Sequence, residues 1–123
     1  GAPFSTARYN GAAAVLGGKL YLLGGQSNHT TESTVEAFDS RTGAWSLVAP
    51  MLTGRYLLAA ASVGGRLYAI GGLDTGPDPS GVVEAFDPQT GTWTAAEPMP
   101  TPRREMGAAV VGGKIYVIGG YNE

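Results

Sequence analysis

The sequence contains no cysteine and a single histidine, and charged residues make up only 15% of its 123 residues. Without cysteine the chain has no disulfide, no thiolate metal site and no cysteine nucleophile. The formal net charge is −2 and no stretch is basic, so nucleic acid is not an expected partner. No apolar run approaches the roughly 20 residues of a membrane-spanning helix, so a membrane is not an expected partner either. The N-terminus shows no signal peptide, which favours the cytoplasm, although a cysteine-free protein fits any compartment.

Glycine, in contrast, is abundant: the chain has 20 glycines and 8 prolines. Helix interiors disfavour both residues, so the composition argues against a helical protein. Hydrophobic residues make up 43% of the chain, which is enough for a core. The composition therefore predicts an all-β chain of short strands joined by Gly- and Pro-containing turns.

A sequence repeat runs through the chain, with a period of 47 residues at first and 48 residues later. Its first half occurs three times and its second half twice. The first half repeats as Arg8, Arg55 and Arg103; Gly17-Gly18, Gly64-Gly65 and Gly112-Gly113; Tyr21, Tyr68 and Tyr116; and Gly24-Gly25, Gly71-Gly72 and Gly119-Gly120. The second half repeats as Val35–Asp39 and Val83–Asp87; Trp45 and Trp93; and Pro50-Met51 and Pro98-Met99.

Each full repeat predicts four antiparallel strands, a to d, with a Gly-Gly hairpin turn between a and b. Four short strands in such a repeat are typical of a β-propeller blade. The predicted strands are a at Gly11–Leu16, Leu58–Val63 and Gly107–Val111; b at Lys19–Leu23, Arg66–Ile70 and Lys114–Ile118; c at Thr34–Asp39 and Val82–Asp87; and d from Trp45 to Pro50 and from Trp93 to Pro98.

These residues resemble the kelch-repeat β-propeller family, the galactose oxidase and kelch-like group. The family pattern has an Arg before strand a, a Tyr in strand b, a Gly-Gly pair after strand b and a Trp in strand d, and the chain carries it almost throughout. The resemblance implies an all-β, partial kelch-type propeller that forms one domain over residues 1–123. Blade 1 is expected at about 8–51, blade 2 at about 55–99 and half of blade 3 at about 103–120.

Residues that recur once per repeat are expected to be structural. The repeated Trp, Tyr and Phe residues predict packing between blades, and the second Gly-Gly pairs predict close backbone approach with unusual φ angles. In the kelch family the recurring Arg ties neighbouring blades together. Glu36 and Glu84, at the start of strand c, are the predicted carboxylate partners of that Arg.

Function is expected where the repeats differ, on exposed loops over a rigid scaffold. In kelch propellers the d–a and b–c loops share one face around the central opening, and the resemblance implies that this face binds a partner. Tyr and Arg are favoured anchors at such interfaces. The candidate partner-binding residues are Tyr9, Asn10, Gln26, Asn28, His29, Tyr56, Asp74, Arg104, Glu105 and Tyr121.

Several weaker motifs are assigned no role. His29 is interpreted as a solvated loop residue because no orienting partner is apparent. Asn28-His29-Thr30 matches the glycosylation pattern, which matters only in a secretory compartment. The segment from Asp74 to Asp78 is only faintly similar to a calcium loop and lacks the closing glutamate, so neither a metal nor another cofactor is expected.

The leading hypothesis is a non-enzymatic kelch-repeat module that binds a protein or peptide. The chain supplies fewer blades than a complete propeller, and it begins with residues that match the end of an earlier repeat. A fragment or engineered piece that completes a larger ring with other copies of itself is therefore an alternative. A further alternative is part of a sugar-processing enzyme of this fold, for which Arg104 and Glu105 are the candidates. The copper oxidases of the fold need a Cys-crosslinked Tyr, which this chain cannot form.

Overall fold

The chain forms only β-strands and connecting loops in the computed structural model, which describes residues 8–27 and 30–122. The strands in chain order are β1 Ala12–Leu16, β2 Lys19–Leu23, β3 Gln26–Ser27, β4 Thr30–Thr31, β5 Val35–Asp39, β6 Ala44–Val48, β7 Ala59–Val63, β8 Arg66–Ile70, β9 Val83–Asp87, β10 Thr92–Ala95, β11 Gly107–Val111 and β12 Lys114–Ile118. Over the described residues no helix is long and apolar enough to cross a membrane. The all-β prediction is confirmed.

Two four-stranded antiparallel sheets and a hairpin follow one another along the chain. The first sheet, blade 1, has the strand order β1-β2-β5-β6, and the second, blade 2, has the order β7-β8-β9-β10. Strands β11 and β12 form a separate pair, the third hairpin, and β3 pairs with β4 in a short loop hairpin. Gly17 and Gly18 join β1 to β2 with φ angles of 58° and 78°, the left-handed conformation that a tight hairpin turn needs.

The observed strand limits differ from the predicted ones mainly in strand d. All three b strands were predicted with the correct limits, whereas β6 ends at Val48 and β10 at Ala95, before the predicted prolines. The reason is the partner strand: Val48 lies opposite Val35, the first residue of β5, and beyond it no ladder remains. The pairing of β3 with β4 was not predicted, because two-residue strands leave no hydrophobic pattern.

The main core lies between blade 1 and blade 2. Its buried residues come from the facing sides of the two sheets and include Leu23, Val35, Leu67, Phe86 and Trp93. The Phe86 and Trp93 rings lie 5.2 Å apart, and the Trp93 Nε1 donates a 2.8 Å hydrogen bond across to the Ala49 carbonyl. The prediction that Trp93 and Phe86 pack between blades is confirmed.

A second core lies between blade 2 and the third hairpin. Ala59, Ile70 and Met106 are buried there, and Tyr68 and Ile115 pack against them. The two cores use corresponding faces of successive repeats, so the stacking direction is the same at both.

Packing between blades is not observed for every repeated aromatic residue. Trp45 stacks at 5.0 Å on Phe38 within blade 1, and Tyr116 on the third hairpin is 49% exposed. These side chains face the outer sides of blade 1 and the third hairpin, where the described residues include no further blade. For these three residues, packing between blades therefore stays a prediction.

Candidate partner-binding face

In every repeat the loop before strand a pairs with the loop after strand b. The three antiparallel bridges are Tyr9–Gln26, Tyr56–Leu73 and Arg104–Tyr121. Each bridge has two backbone hydrogen bonds with donor–acceptor distances of 2.8 to 3.1 Å. We call the surface formed by residues 9–10, 26–27, 56–57, 73–74, 104–105 and 121–122 the loop face.

A run of backbone hydrogen bonds connects the loop face from one repeat to the next. The Leu57 amide donates to the Asn10 carbonyl at 2.7 Å, and the Glu105 amide donates to the Leu57 carbonyl at 2.9 Å. All three residues have positive φ angles, between 56° and 60°. Such angles are uncommon outside glycine, and here they aim each amide at the preceding repeat.

The second Gly-Gly pair of each repeat permits this arrangement. A Cβ atom on Gly72 would lie 2.6 Å from the Tyr56 carbonyl oxygen, and one on Gly25 would lie 2.7 Å from the Tyr9 carbonyl oxygen. In addition, the Gly25 amide donates to the carbonyl of Arg55 in the next repeat at 2.7 Å. The predicted close approach and positive φ are thus confirmed at these glycines.

Beneath the loop face, a buried arginine organises blade 2. The Arg55 Nη1 donates to the carbonyls of Gly71 at 3.1 Å and Val82 at 2.8 Å, and Nη2 donates to the Glu84 Oε2 at 2.8 Å. Burial lowers the pKa of the Arg55 guanidinium, whereas the Glu84 carboxylate opposes that shift. The pair holds strand b, strand c and the loop before strand a in one arrangement.

Blade 1 contains the same arginine arrangement. The Arg8 Nη1 donates to the Gly24 and Thr34 carbonyls, and Nη2 donates to the Glu36 Oε2 at 2.9 Å. The predicted Arg–Glu pairing is confirmed in both blades. The role implied by the resemblance needs a correction, however, because each guanidinium binds within its own blade. Arg55 is linked to the preceding repeat by its backbone carbonyl, which accepts the Gly25 amide.

Glu84 also fixes the connection between the two blades. Its Oε1 accepts a hydrogen bond from the Leu52 amide and its Oε2 accepts one from the Thr53 amide at 3.3 Å. The carboxylate thus joins blade 2 to the segment that arrives from blade 1.

The predicted partner-binding residues vary in exposure. Tyr9 is 51% exposed and Tyr121 is 54% exposed, whereas Tyr56 and Gln26 are half-buried. Asn10 is exposed and contributes its carbonyl to the run of hydrogen bonds. Asn28 and His29 lie outside the described residues.

Three charged candidates already have partners within the chain. The Arg104 guanidinium lies 5.2 Å from the centre of the Tyr121 ring and forms an ion pair with Glu105. The Asp74 Oδ1 accepts the Gly76 amide at 2.8 Å, which closes a local turn. Arg104, Glu105 and Tyr121 therefore form one cluster at one end of the loop face.

Leu57 and Leu73 are structural members of the loop face that the candidate set did not include. Leu57 carries the central hydrogen bonds between repeats, and Leu73 is 8% exposed in its bridge with Tyr56. Leu57 could have been recognised because it occupies the same repeat position as Asn10 and Glu105.

An open groove of about 260 Å³ borders the loop face on the outer side of blade 1. Tyr9, Asn10, Ala13 and Leu22 contribute to its lining. Across the described residues there is no cluster of three or more His, Asp or Glu side chains that could hold a metal ion.

Comparison with known proteins identifies the arrangement. A family model described as the KLHDC2/KLHL20/DRC7 Kelch-repeats domain matches residues 2–120. The chain is also similar to the solved structure of YjhT, with a TM-score of 0.83 and 22% sequence identity, over 96% of this chain and 36% of that one. The chain thus has the fold of a partial kelch-type propeller and spans about a third of the YjhT chain. No curated protein matches it at a significant level.

Proposed function

The chain belongs to the kelch-repeat domain family, whose members are commonly protein-interaction modules, and from this premise we propose that it binds a protein or peptide through the loop face without catalysis. The observation that carries the proposal is the run of backbone hydrogen bonds from Asn10 through Leu57 to Glu105. It fixes three pairs of loops on one surface while leaving their side chains to differ between repeats. A rigid frame with variable loops is the usual design of a recognition surface.

The side chains of the loop face have the chemistry of interface anchors. Tyr9 and Tyr121 present large exposed rings, and Arg104 adds a planar cation stacked on Tyr121. Tyrosine and arginine are enriched among the residues that dominate binding energy. Because the backbone beneath them is already fixed, little ordering free energy opposes binding.

Cyclic peptides selected from a display library against the purified chain test the proposal, since a cyclic peptide imitates a protein loop. We expect Tyr56→Ala and Arg104→Ala to weaken most of the selected peptides by about thirtyfold or more, which corresponds to about 2 kcal/mol. Titration by fluorescence polarisation measures the affinities, and circular dichroism checks that each variant is folded.

The matched control lies on the outer strand of blade 1. Leu47 is 67% exposed on β6, and Arg41 is an exposed arginine in the preceding turn. Leu47→Ala and Arg41→Ala should leave the affinities unchanged. The proposal would be overturned if the peptides bound the loop-face variants with unchanged affinity and no longer bound the control variants.

Self-association into a larger ring is the second candidate, and one observation favours it. The third hairpin exposes 64% of Val111 and 65% of Ile118, at positions that correspond to Leu16 and Leu23 of blade 1. Leu23 is fully buried against blade 2, so an equivalent contact could form between copies. Sedimentation of the free chain, run before the peptide selection, separates the candidates: a mass that rises with concentration supports the ring, and a constant monomer mass excludes it.

A further inference from the structure

A groove separates blade 1 from blade 2 at the end of the strands opposite to the loop face. It extends from Gly17, in the turn between β1 and β2, to Gly91, in the turn between β9 and β10, and its volume is about 380 Å³. Small-molecule sites commonly have volumes of about 300–1,000 Å³. Both walls are complete four-stranded sheets. The residues that line the groove include Leu16, Lys19, Tyr21, Val48, Phe86 and Pro88.

Two hydrogen bonds between the blades fix the width of this groove. The Trp93 Nε1 donates to the carbonyl of Ala49, a lining residue, at 2.8 Å. The Ser62 hydroxyl donates at 2.6 Å to the carbonyl of Val15, which precedes the lining residue Leu16 on β1. The groove is thus already formed before a ligand enters, so a ligand does not have to order its walls.

The floor of the groove holds a buried hydroxyl that has no partner in the described part of the chain. Tyr21 is 4% exposed, and its ring centre lies 6.0 Å from that of Phe86. The Tyr21 hydroxyl makes no hydrogen bond to the described residues, yet it is not one of their fully enclosed polar atoms, so it reaches the groove. Burial raises the pKa of the Tyr21 phenol, which therefore stays neutral and able to donate at neutral pH. Buried polar groups normally have a hydrogen-bond partner, so this hydroxyl is an open position for one.

A cation lies on the same wall as this hydroxyl. Lys19 is two residues before Tyr21 on β2, so both side chains point to the same face of the sheet, about 7 Å apart along the strand. Within the described ranges no carboxylate forms an ion pair with Lys19. Its ladder partner Asp39 instead accepts the Arg41 amide at 2.9 Å and pairs with the Arg41 guanidinium. Two cations and one carboxylate therefore lie at this end of blade 1, which favours an anionic ligand.

We propose that the groove between the blades binds a small aromatic carboxylate. Its carboxylate lies on Lys19, and its ring packs against Leu16, Val48 and Pro88. A polar group para to the carboxylate accepts a hydrogen bond from the Tyr21 hydroxyl. A benzene ring with these two groups spans a length similar to the separation of Lys19 and Tyr21 along the strand. The site lies at the other end of the strands from the loop face and does not depend on what binds there.

Three related compounds test which groups of the ligand are recognised. The probe is 4-hydroxybenzoate, whereas benzoate lacks the para hydroxyl and 4-hydroxybenzamide lacks the charge. Each is titrated into the full chain labelled with nitrogen-15, and backbone amide shifts are followed. We expect 4-hydroxybenzoate to bind with a Kd of about 1 mM and the other two to bind about fivefold more weakly. The largest shifts should fall on residues 16–21 and 86–91.

Variants of the chain give the reciprocal test. Tyr21→Phe removes only the hydroxyl and should weaken 4-hydroxybenzoate about fivefold while leaving benzoate unchanged. Lys19→Gln should weaken 4-hydroxybenzoate by a similar factor and leave 4-hydroxybenzamide unchanged. Both variants are expected to fold, because the hydroxyl has no partner among the described residues and Lys19 is only half-buried.

The matched controls occupy the same repeat positions elsewhere in the chain. Tyr68 on β8 corresponds to Tyr21, and Lys114 on β12 corresponds to Lys19. Tyr68→Phe and Lys114→Gln should leave the affinity for each of the three compounds unchanged.

Four results would overturn the proposal. The first is a lack of binding at about 10 mM 4-hydroxybenzoate, and the second is an unchanged affinity of Tyr21→Phe for that compound. The third is a pattern of shifts that falls on the loop face instead of residues 16–21 and 86–91. The fourth is equal affinity for the acid and the amide, which would remove the role of Lys19 and name a neutral aromatic ligand instead.

Discussion

The guanidinium of Arg55 is fully buried, and its partners decide whether that burial is tolerated. Three backbone carbonyls and the Glu84 carboxylate accept hydrogen bonds from its Nη1 and Nη2, while its Nε is buried without a partner. An ionised group in such a place is stable only when it is paired and hydrogen-bonded. Glu84 supplies the compensating charge and is itself 1% exposed.

Removing the charge of Glu84 is therefore expected to destabilise the chain strongly. We predict that Glu84→Gln lowers the free energy of unfolding by about 3 kcal/mol, because Arg55 is left buried without a counter-charge. Urea unfolding followed by tryptophan fluorescence measures the change. Glu97→Gln, which neutralises an exposed carboxylate, is the control and should stay within about 0.5 kcal/mol of the native chain. Equal unfolding midpoints for the two variants would contradict this account of Arg55.

The sequence predicted the roles of the buried arginines and glutamates because the same residues recur at the same positions in successive repeats. Arg8, Arg55 and their glutamates were paired correctly from recurrence alone. The direction of the arginine side chain was not predictable, since recurrence does not tell whether a residue binds in its own blade or in the next.

At the scale of the strands, the repeated tryptophan of strand d has a different environment in each blade. Trp93 on β10 is 6% exposed and bonds across to Ala49, whereas Trp45 on β6 packs on Phe38 of its own blade. The two tryptophans are equivalent in sequence and both stack on a phenylalanine of their own blade, and Trp93 is in addition buried in the core between blades 1 and 2.

Truncation of the two tryptophans is expected to show that difference. Trp93→Ala should lower the free energy of unfolding by about 3–5 kcal/mol, because a large cavity opens in the core between the blades. Trp45→Ala should lower it by about 1–2 kcal/mol, since Trp45 is only half-buried and its removal leaves a smaller cavity. Thermal and urea unfolding of both variants give the comparison. Equal losses would mean that the outer side of blade 1 is also covered.

The existence of the strands and the limits of the b strands followed from the glycine pairs and the hydrophobic pattern, but the limits of the d strands did not. The ladder of β6 ends opposite Val35, the first residue of β5, and that of β10 ends opposite Glu84, the second residue of β9, so these limits are a property of pairing and not of local sequence. Strands β3 and β4 were not predicted, because their pairing rests on two residues each.

At the scale of the whole molecule, the repeats are joined in the same way twice. The Leu57 and Glu105 amides each donate to the repeat before them, and the Gly25 and Gly72 amides each donate to the repeat after them. Because these bonds lie beside the loop face, the positions of its loops relative to one another are fixed by backbone contacts. The sequence predicted which loops meet, whereas the positive φ angle of Leu57 could not be read from a leucine.

The central claim is that a partner binds on the loop face, and chemical-shift mapping tests it most directly. A chain labelled with nitrogen-15 is titrated with the tightest of the selected cyclic peptides, and backbone amide shifts are followed. We predict that the largest changes fall on residues 9–10, 56–57, 73–74, 104–105 and 121–122, while the amides of β6 and β10 stay unchanged. Largest changes on β6 and β10, with the loop-face amides unmoved, would contradict the claim.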